Sequence, residues 1–94
     1  MYLVSYDIEK TKIRNKIAKT LENYGERVQY SVFECRITAK QLDELYDKLA
    51  KIMSGKTEGN IRFYNLCKNC EEKIATIGVK EKEMQSGDED IIII

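Results

Sequence analysis

Apolar residues change their spacing along the first part of the chain, and the change predicts a strand followed by a helix. Residues 2 to 8 form a β-rich apolar run that ends in a polar cluster, as in a central strand with both faces covered. From Thr11 the apolar positions are four, four and three residues apart, which is typical of an amphipathic helix. These positions are Ile13, Ile17, Leu21 and Tyr24. Gly25 then predicts the helix end, and Asp7 is placed at the carboxyl end of the strand.

The middle of the chain has β character from Arg27 to Ile37. Its length is compatible with one long bent strand or with a tight hairpin near Tyr30-Ser31. The pattern itself does not choose between these two structures.

A second helix is predicted after Thr38, because Thr38 and Gln41 have the spacing of a capping box. The apolar positions that follow have helical spacing, and Ser54-Gly55 ends the pattern. These positions are Leu42, Leu45, Tyr46, Leu49 and Ile52.

Two further strands are predicted, from Asn60 to Cys67 and, after a polar turn, from Lys73 to Ile77. If the middle segment is a hairpin, the fold class is α+β, a ferredoxin-like βαββαβ arrangement with an extra C-terminal strand. A four-stranded antiparallel sheet with both helices on one face leaves its other face uncovered. We therefore expect a homodimer packed sheet to sheet.

Composition limits the class of protein. A chain of 94 residues builds one small core, and its apolar runs are too short to cross a bilayer, so we expect no membrane association. The sequence does not open with a charged segment followed by an apolar run, so a cytoplasmic location is expected. Three cysteines are an odd number, and free thiols are the expected state.

The formal charge of zero hides an asymmetry. Residues 1–80 contain 15 Lys and Arg against 11 Asp and Glu, whereas residues 81–94 contain one lysine and five acidic residues. We therefore predict a mildly basic domain over residues 1–79 and an acidic tail over residues 80–94. The tail ends in Ile91 to Ile94, which is expected to pair, either as a strand added to the dimer or with another protein. The acidic residues could equally serve as gatekeepers against aggregation.

Asp7 is the leading candidate for chemistry. The chain has no histidine, which excludes imidazole catalysis, and it has no glycine-rich phosphate loop. A carboxylate at the end of an apolar strand can contribute to a Mg²⁺ site, and a twofold dimer could bring two copies of Asp7 together. The alternative is that Asp7 caps the first helix.

Basic residues surround this candidate. Lys12, Arg14 and Lys16 lie in the first predicted helix, flanked by Lys10 and Lys19. A basic face beside a carboxylate suits a phosphodiester substrate. The alternative is an ordinary solvated helix face.

The Cys67-x-x-Cys70 spacing is compatible with a metal or redox role. A tetrahedral zinc site would need a carboxylate ligand or a second chain, because Cys35 is the one remaining cysteine and histidine is absent. Structural thiols are the favoured interpretation, and a stabilising disulfide is a further one.

The segment from Gly25 to Cys35, together with Tyr6-Asp7, resembles the CRISPR-associated protein 2 family. The resemblance extends from Met1 to about Val79. It implies a ferredoxin-like homodimer whose last strand crosses to the partner's sheet. It also implies a metal-dependent nuclease that works with the CRISPR-associated protein 1 integrase in spacer acquisition.

The resemblance also implies site residues. Asp7 from each chain would hold one divalent ion near the dimer axis, Mg²⁺ or alternatively Mn²⁺. Arg14 matches one of two helix arginines and Lys16 replaces the other, which keeps the charge but loses the bidentate fork. Arg27 joins Lys12, Arg14 and Lys16 as an expected nucleic-acid-binding residue, and the supporting residues at the site are Tyr6, Ser31 and Phe33. We interpret Phe33 as interface packing rather than as a base-stacking platform, and Ser31 would share a strand face with Arg27 if the strand is continuous.

Two functions follow as hypotheses. The first is a Mg²⁺-dependent endonuclease that cuts single-stranded RNA, double-stranded DNA or both. The second is a non-catalytic dimeric scaffold that holds DNA in the integrase complex. A ferredoxin-like metabolite-sensing domain is a third, less favoured class.

Overall fold

The computed structural model describes residues 1–55 and 58–78, which fold into one antiparallel sheet and three helices. The elements are β1 (Tyr2–Asp7), α1 (Thr11–Leu21), β2 (Glu26–Gln29), β3 (Val32–Cys35), α2 (Ala39–Met53), β4 (Asn60–Asn65) and α3 (Lys68–Glu71). The strand order is β2-β3-β1-β4, so β1 is a central strand that pairs with β3 and β4. The predicted ferredoxin-like α+β fold is confirmed.

The middle segment is a hairpin, which decides between the two predicted alternatives. β2 and β3 are antiparallel and are joined by a turn at Tyr30-Ser31. The register shifts between Arg27 and Gln29, as at a β-bulge. The turn is fastened to the central strand, because the Tyr6 N–H donates to the Ser31 carbonyl at 3.0 Å.

The core lies between one face of the sheet and the two long helices. Val4 pairs with Phe33 and with Phe63, and alternate residues of each strand point to this covered face. The fully buried side chains that meet there from strands and helices are Val4, Ile17, Leu21, Phe33, Cys35, Leu45 and Leu49. Burial of this set supplies the main driving force for folding.

The opposite face of the sheet is the open face. It carries the odd-numbered residues of β1 and the residues that pair with them, which are Leu3, Ser5, Asp7, Val32, Glu34, Asn60, Arg62 and Tyr64. Leu3 and Val32 are half-buried within the single chain. A second chain packed on this face would cover them, and the sheet-to-sheet homodimer stays a prediction.

Helix α2 begins and ends as the sequence predicts. The Thr38 hydroxyl accepts from the Gln41 N–H at 3.1 Å, and the Gln41 side chain accepts from the Thr38 N–H at 2.9 Å. This reciprocal pair is the predicted capping box. Gly55, with φ of +84°, follows the helix in the left-handed region.

The predicted extra strand from Lys73 to Ile77 is not formed within the single chain. β4 ends at Asn65, Cys67 becomes the N-cap of α3, and a turn follows. In this turn the N–H groups of Lys73 and Ile74 donate to carbonyls of α3, so they are unavailable to a strand ladder. Pairing of residues 75–77 across a dimer stays a prediction.

The predicted domain boundary at residue 79 and the acidic tail with its isoleucine segment lie outside the described residues. Within the described ranges, the helices are too short or too polar to cross a membrane.

Candidate metal and nucleic-acid site

Asp7 lies at the end of β1 on the open face, and its side chain is exposed. It pairs with Asn60 of β4 through the backbone. No side chain of residues 1–55 and 58–78 forms a hydrogen bond or ion pair with the Asp7 carboxylate. The helix-cap alternative is wrong, because the N-cap of α1 is Lys10 and no side chain caps that helix. As far as the described part of the chain goes, the carboxylate is therefore open to a ligand.

Backbone segments fix the position of Asp7 from both sides. The Tyr30-Ser31 turn is bonded to the neighbouring Tyr6 N–H on one side. On the other side Gly59 lies directly against the Asp7 backbone. Ser31 lies in the turn and contacts β1 through its backbone carbonyl. Because the segment is a hairpin, Ser31 does not share a continuous strand face with Arg27. Gly59 was not predicted from the sequence, although a glycine immediately before a strand is a recognisable signal for close backbone approach.

Asp7 is a carboxylate that a divalent metal ion could use as one ligand. Among the described residues there is no group of three or more histidine, cysteine or acidic side chains that could hold an ion. Glu34, which shares the open face, pairs with Leu3 and thus lies about 13 Å along the sheet from Asp7. Magnesium accepts one or two carboxylates and completes its shell with water and phosphate oxygens. Asp7 fits such an ion when a second copy supplies the other carboxylate.

Tyr6, Arg27 and Phe33 form a cluster on the covered face, opposite to the face that carries Asp7. The rings of Tyr6 and Phe33 stack with centroids 6.3 Å apart, and the Arg27 guanidinium lies 5.2 Å from the Phe33 centroid. Burial raises the pKa of Tyr6, and the positive charges of Arg27 and Arg14 partly oppose this effect. Arg27 therefore packs on the ring that stacks against Tyr6.

The interpretation of Phe33 as interface packing is corrected by this geometry. Its side chain is completely buried within one chain, between the sheet and the helices. A side chain without exposed surface in the monomer cannot contact a partner on the open face. Phe33 is a core residue, and it supports Arg27 through the cation–π contact.

Arg14 is tied to the loop that joins β1 to α1. One terminal nitrogen donates to the Ile8 carbonyl at 3.1 Å and to the Glu9 carbonyl at 3.3 Å, and the other donates to the Thr11 hydroxyl at 3.2 Å. The side chain is half-buried. Arg14 therefore holds the loop that follows Asp7, and its remaining N–H groups are left for a phosphate.

Lys12 and Lys16 are exposed and lie on the same side of α1, since they are four residues apart. Together with Lys10 and Lys19 they form what we call the α1 basic surface. The first turn of α1 contains no acidic residue, and no side chain caps its N–H groups. An uncapped helix start with Lys10 and Lys12 beside it favours an anion such as phosphate.

The chain is a small ferredoxin-like α+β protein with an available carboxylate at a strand end and a basic helix start beside it. Residues 1–74 match the family described as "CRISPR associated protein Cas2". The chain belongs to this family.

Similarity to individual proteins agrees with this assignment. The chain is 44% identical over 77 residues to the "CRISPR-associated endoribonuclease Cas2 1" of Chloroflexus aurantiacus, covering 82% of this chain and 83% of that protein. It resembles the crystal structure of Streptococcus pyogenes Cas2 with a TM-score of 0.71 and 38% identity, covering 82% and 98% of the two chains. A chain of a partial Cas6-RT-Cas1–Cas2 complex is also similar, with a TM-score of 0.69, 41% identity and coverage of 78% and 79%.

Proposed function

We propose that this protein is a metal-dependent endonuclease that acts in CRISPR spacer acquisition as a homodimer together with the Cas1 integrase. Within residues 1–55 and 58–78 no side chain pairs with the exposed Asp7 carboxylate at the end of β1, and this observation carries the catalytic part of the proposal. The name endoribonuclease for a relative 44% identical to this chain supports the reaction type. Similarity to a chain from a complex whose name includes Cas1 supports the partnership.

The chain's own residues would have separate roles. Two copies of Asp7 would hold Mg²⁺ or Mn²⁺ across the dimer axis. Such an ion, when bound, polarises the scissile phosphate and lowers the pKa of a coordinated water. The α1 basic surface would attract the phosphodiester backbone, and Arg14 would keep the loop between Asp7 and α1 in place.

Single-stranded RNA, double-stranded DNA or both are the proposed substrates. Lysines that bind phosphate attract either nucleic acid and carry no sequence information. The endoribonuclease name of the relative makes single-stranded RNA the first substrate to test.

A non-catalytic scaffold is the second candidate function. One observation favours it: residues 1–55 and 58–78 hold no group of three or more acidic, cysteine or histidine side chains that could bind an ion, and Glu34 of the open face lies about 13 Å along the sheet from Asp7. In this case the dimer would hold duplex DNA between integrase subunits by its basic surfaces, and Asp7 would be dispensable for acquisition.

The test compares wild type with Asp7→Asn on labelled single-stranded RNA and on duplex DNA, with Mg²⁺, with Mn²⁺ and with chelator. Glu9→Gln is the matched control, because Glu9 is an exposed carboxylate two residues away whose backbone carbonyl, not its side chain, contacts Arg14. A nuclease requires cleavage by wild type and by Glu9→Gln, and loss of cleavage with Asp7→Asn and with chelator.

The outcomes distinguish the two functions. No cleavage by pure wild type, combined with normal spacer integration by Asp7→Asn together with Cas1, would reject the nuclease in favour of the scaffold. Loss of integration with Asp7→Asn would show that integration depends on this carboxylate. It would therefore reject a scaffold role in which Asp7 is dispensable. The cytoplasmic location predicted from the sequence stays part of this proposal.

A further inference from the structure

Cys67 and Cys70 are two surface thiols held in one turn. Cys67 is the N-cap of α3, and its sulfur accepts a hydrogen bond from the Cys70 N–H at 3.4 Å. Both side chains are exposed, whereas Cys35 is fully buried in the core. The nuclease site uses neither Cys67 nor Cys70, because both lie beyond the end of β4 that is remote from Asp7.

The two thiols are not equivalent. The Cys70 N–H donates to the Cys67 sulfur, and this hydrogen bond lowers the pKa of Cys67. The neighbouring Cys67 side chain raises the pKa of Cys70. Thiolate is the reactive form of cysteine, so Cys67 is the better nucleophile at neutral pH. Cys70 lies next to it and is placed to attack a mixed disulfide formed on Cys67.

Hydrogen bonds and ion pairs fix the backbone on both sides of Cys67 and Cys70. The Leu66 N–H donates to the Met1 carbonyl at 2.8 Å, and Glu71 pairs with the Met1 amino group at 3.2 Å and with Arg36. These contacts tie the segment before α3 and the end of α3 to Met1, and they tie the end of α3 to the residue after β3. The two sulfurs therefore stay close together at the surface while the rest of the turn is fixed.

We propose that Cys67 and Cys70 form a reversible dithiol–disulfide pair that reacts with low-molecular-weight disulfides. The Cys67 thiolate attacks one sulfur of the disulfide, forms a mixed disulfide and releases one thiolate. Cys70 then loses its proton to solvent and attacks the Cys67 sulfur, which releases the second thiol and leaves an intrachain Cys67–Cys70 disulfide. Two electrons pass from the pair to the reagent, and a low-molecular-weight thiol in excess reverses both steps.

Other roles for the pair are less well supported by the same geometry. A disulfide across so few residues removes little entropy from the unfolded chain, so it would add little stability. Exposed disulfides are more easily reduced than buried ones, which suits reversible exchange. A closed metal site needs further ligands, and none accompany the two thiols within residues 1–55 and 58–78.

The experiment exposes the full, reduced chain to mixtures of oxidised and reduced glutathione in the presence of a metal chelator. Samples are quenched with acid, unfolded and alkylated, and the intact and proteolysed masses are measured. We expect an intrachain Cys67–Cys70 disulfide without bound glutathione, with Cys35 remaining alkylatable. Reduced glutathione should restore all three thiols, and Cys35→Ser should behave like wild type.

Two variants test the order of reaction. Cys70→Ser should accumulate one glutathione on Cys67, and Cys67→Ser should form its mixed disulfide several times more slowly, roughly in proportion to the lost thiolate fraction. Circular dichroism of each variant checks that the fold is retained. Equal rates for the two variants, disulfides that form between chains only, or wild type that stays at the mixed disulfide would overturn the proposal. So would a reduced protein that keeps Zn²⁺ bound against the chelator.

Discussion

Gly59 lies so close to Asp7 that a Cβ atom at position 59 would overlap the Asp7 carbonyl oxygen. The same Cβ would be 3.1 Å from the Ile8 Cα, and φ of Gly59 is +113°, a conformation that L side chains rarely adopt. The segment before β4 therefore closes on the end of β1 because position 59 has no side chain. This contact links the geometry of the candidate site to a residue that has no chemistry of its own.

The first prediction concerns this contact. Gly59→Ala should destabilise the protein by on the order of 2 kcal/mol or more, from unfavourable φ together with the steric overlap. Because the overlap displaces the Asp7 backbone, any cleavage activity should fall further than the lost stability explains. Denaturant unfolding and the cleavage assay at low temperature measure the two effects.

Gly55→Ala is the matched control for Gly59→Ala. Gly55 also has a positive φ, +84°, but nothing lies within 4 Å of a Cβ there. Gly55→Ala should lower the free energy of unfolding by on the order of 1 kcal/mol, and the activity per folded molecule should not change. Equal costs for the two alanine variants would contradict the predicted steric contribution at position 59.

A second prediction separates the core from the dimer interface. Phe33→Ala should lower the free energy of unfolding by roughly 3 to 5 kcal/mol, since its ring is fully buried within one chain. Leu3→Lys places a charge on the open face, opposite Glu34 of the neighbouring strand, where the single chain tolerates it. Sedimentation and unfolding should show a folded monomer for Leu3→Lys. A Leu3→Lys protein that remains dimeric would argue against sheet-to-sheet packing.

Most of the fold could be predicted from the sequence because its signals are local. The helical spacing after Thr11 and the capping box at Thr38 correspond to α1 and α2. The hairpin could not be chosen over a bent strand, because a turn at Tyr30-Ser31 has no glycine or proline to mark it. The strand predicted at residues 73–77 failed within the single chain because a strand requires a partner, and pairing is not a property of the segment alone.

The candidate site was predicted in part. Asp7 was placed correctly at a strand end from the apolar run that precedes it. Residue spacing along a strand also implies that Tyr6 and Asp7 point to opposite faces, and the structure separates them in this way. The contacts of Arg14 with the loop and the burial of Phe33 could not be inferred, because both depend on how the helices pack on the sheet.

A third prediction tests the α1 basic surface. Lys12→Ala and Lys16→Ala should weaken nucleic-acid binding more at low salt than at high salt, because phosphate contacts release counterions. Each lost contact should reduce the slope of log K against log salt by about 0.9 on duplex DNA and about 0.7 on single strands. Lys40→Ala is the control, since Lys40 is exposed in α2 near the opposite end of the sheet. Equal losses for all three variants would indicate a diffuse charge effect.

A fourth prediction concerns Arg14, which differs from the lysines because its side chain is committed to the loop. Arg14→Lys keeps the charge but cannot reproduce the hydrogen bonds to Ile8, Glu9 and Thr11 together. We expect the free energy of unfolding to fall by about 1 kcal/mol. Nucleic-acid binding by Arg14→Lys should be weaker than binding by wild type at both low and high salt. Thermal unfolding and binding at two salt concentrations are the measurements. A variant with wild-type stability would show that the loop does not depend on this guanidinium.

The last prediction uses the ion pairs of Glu71. Arg36 and the Met1 amino group hold the pKa of Glu71 below its ordinary value of 4.5. A carboxylate whose pKa is lowered by folding stabilises the protein fully above the unfolded-state pKa, and this contribution disappears as the pH falls through the folded-state pKa. Glu71→Gln should therefore be less stable than wild type at neutral pH, and the difference should disappear as the pH falls through the lowered folded-state pKa of Glu71.

Glu72→Gln is the control for Glu71→Gln, because Glu72 is the neighbouring carboxylate and is exposed. Urea unfolding at several pH values should give parallel stability curves for Glu72→Gln and wild type, whereas the curve for Glu71→Gln should converge on them in acid. A difference that stays constant with pH would mean that the glutamine disturbs packing around α3, and the ion pairs would then contribute nothing measurable. Convergence would show that the charge of Glu71 fastens α3, and with it Cys67 and Cys70, to the start of β1.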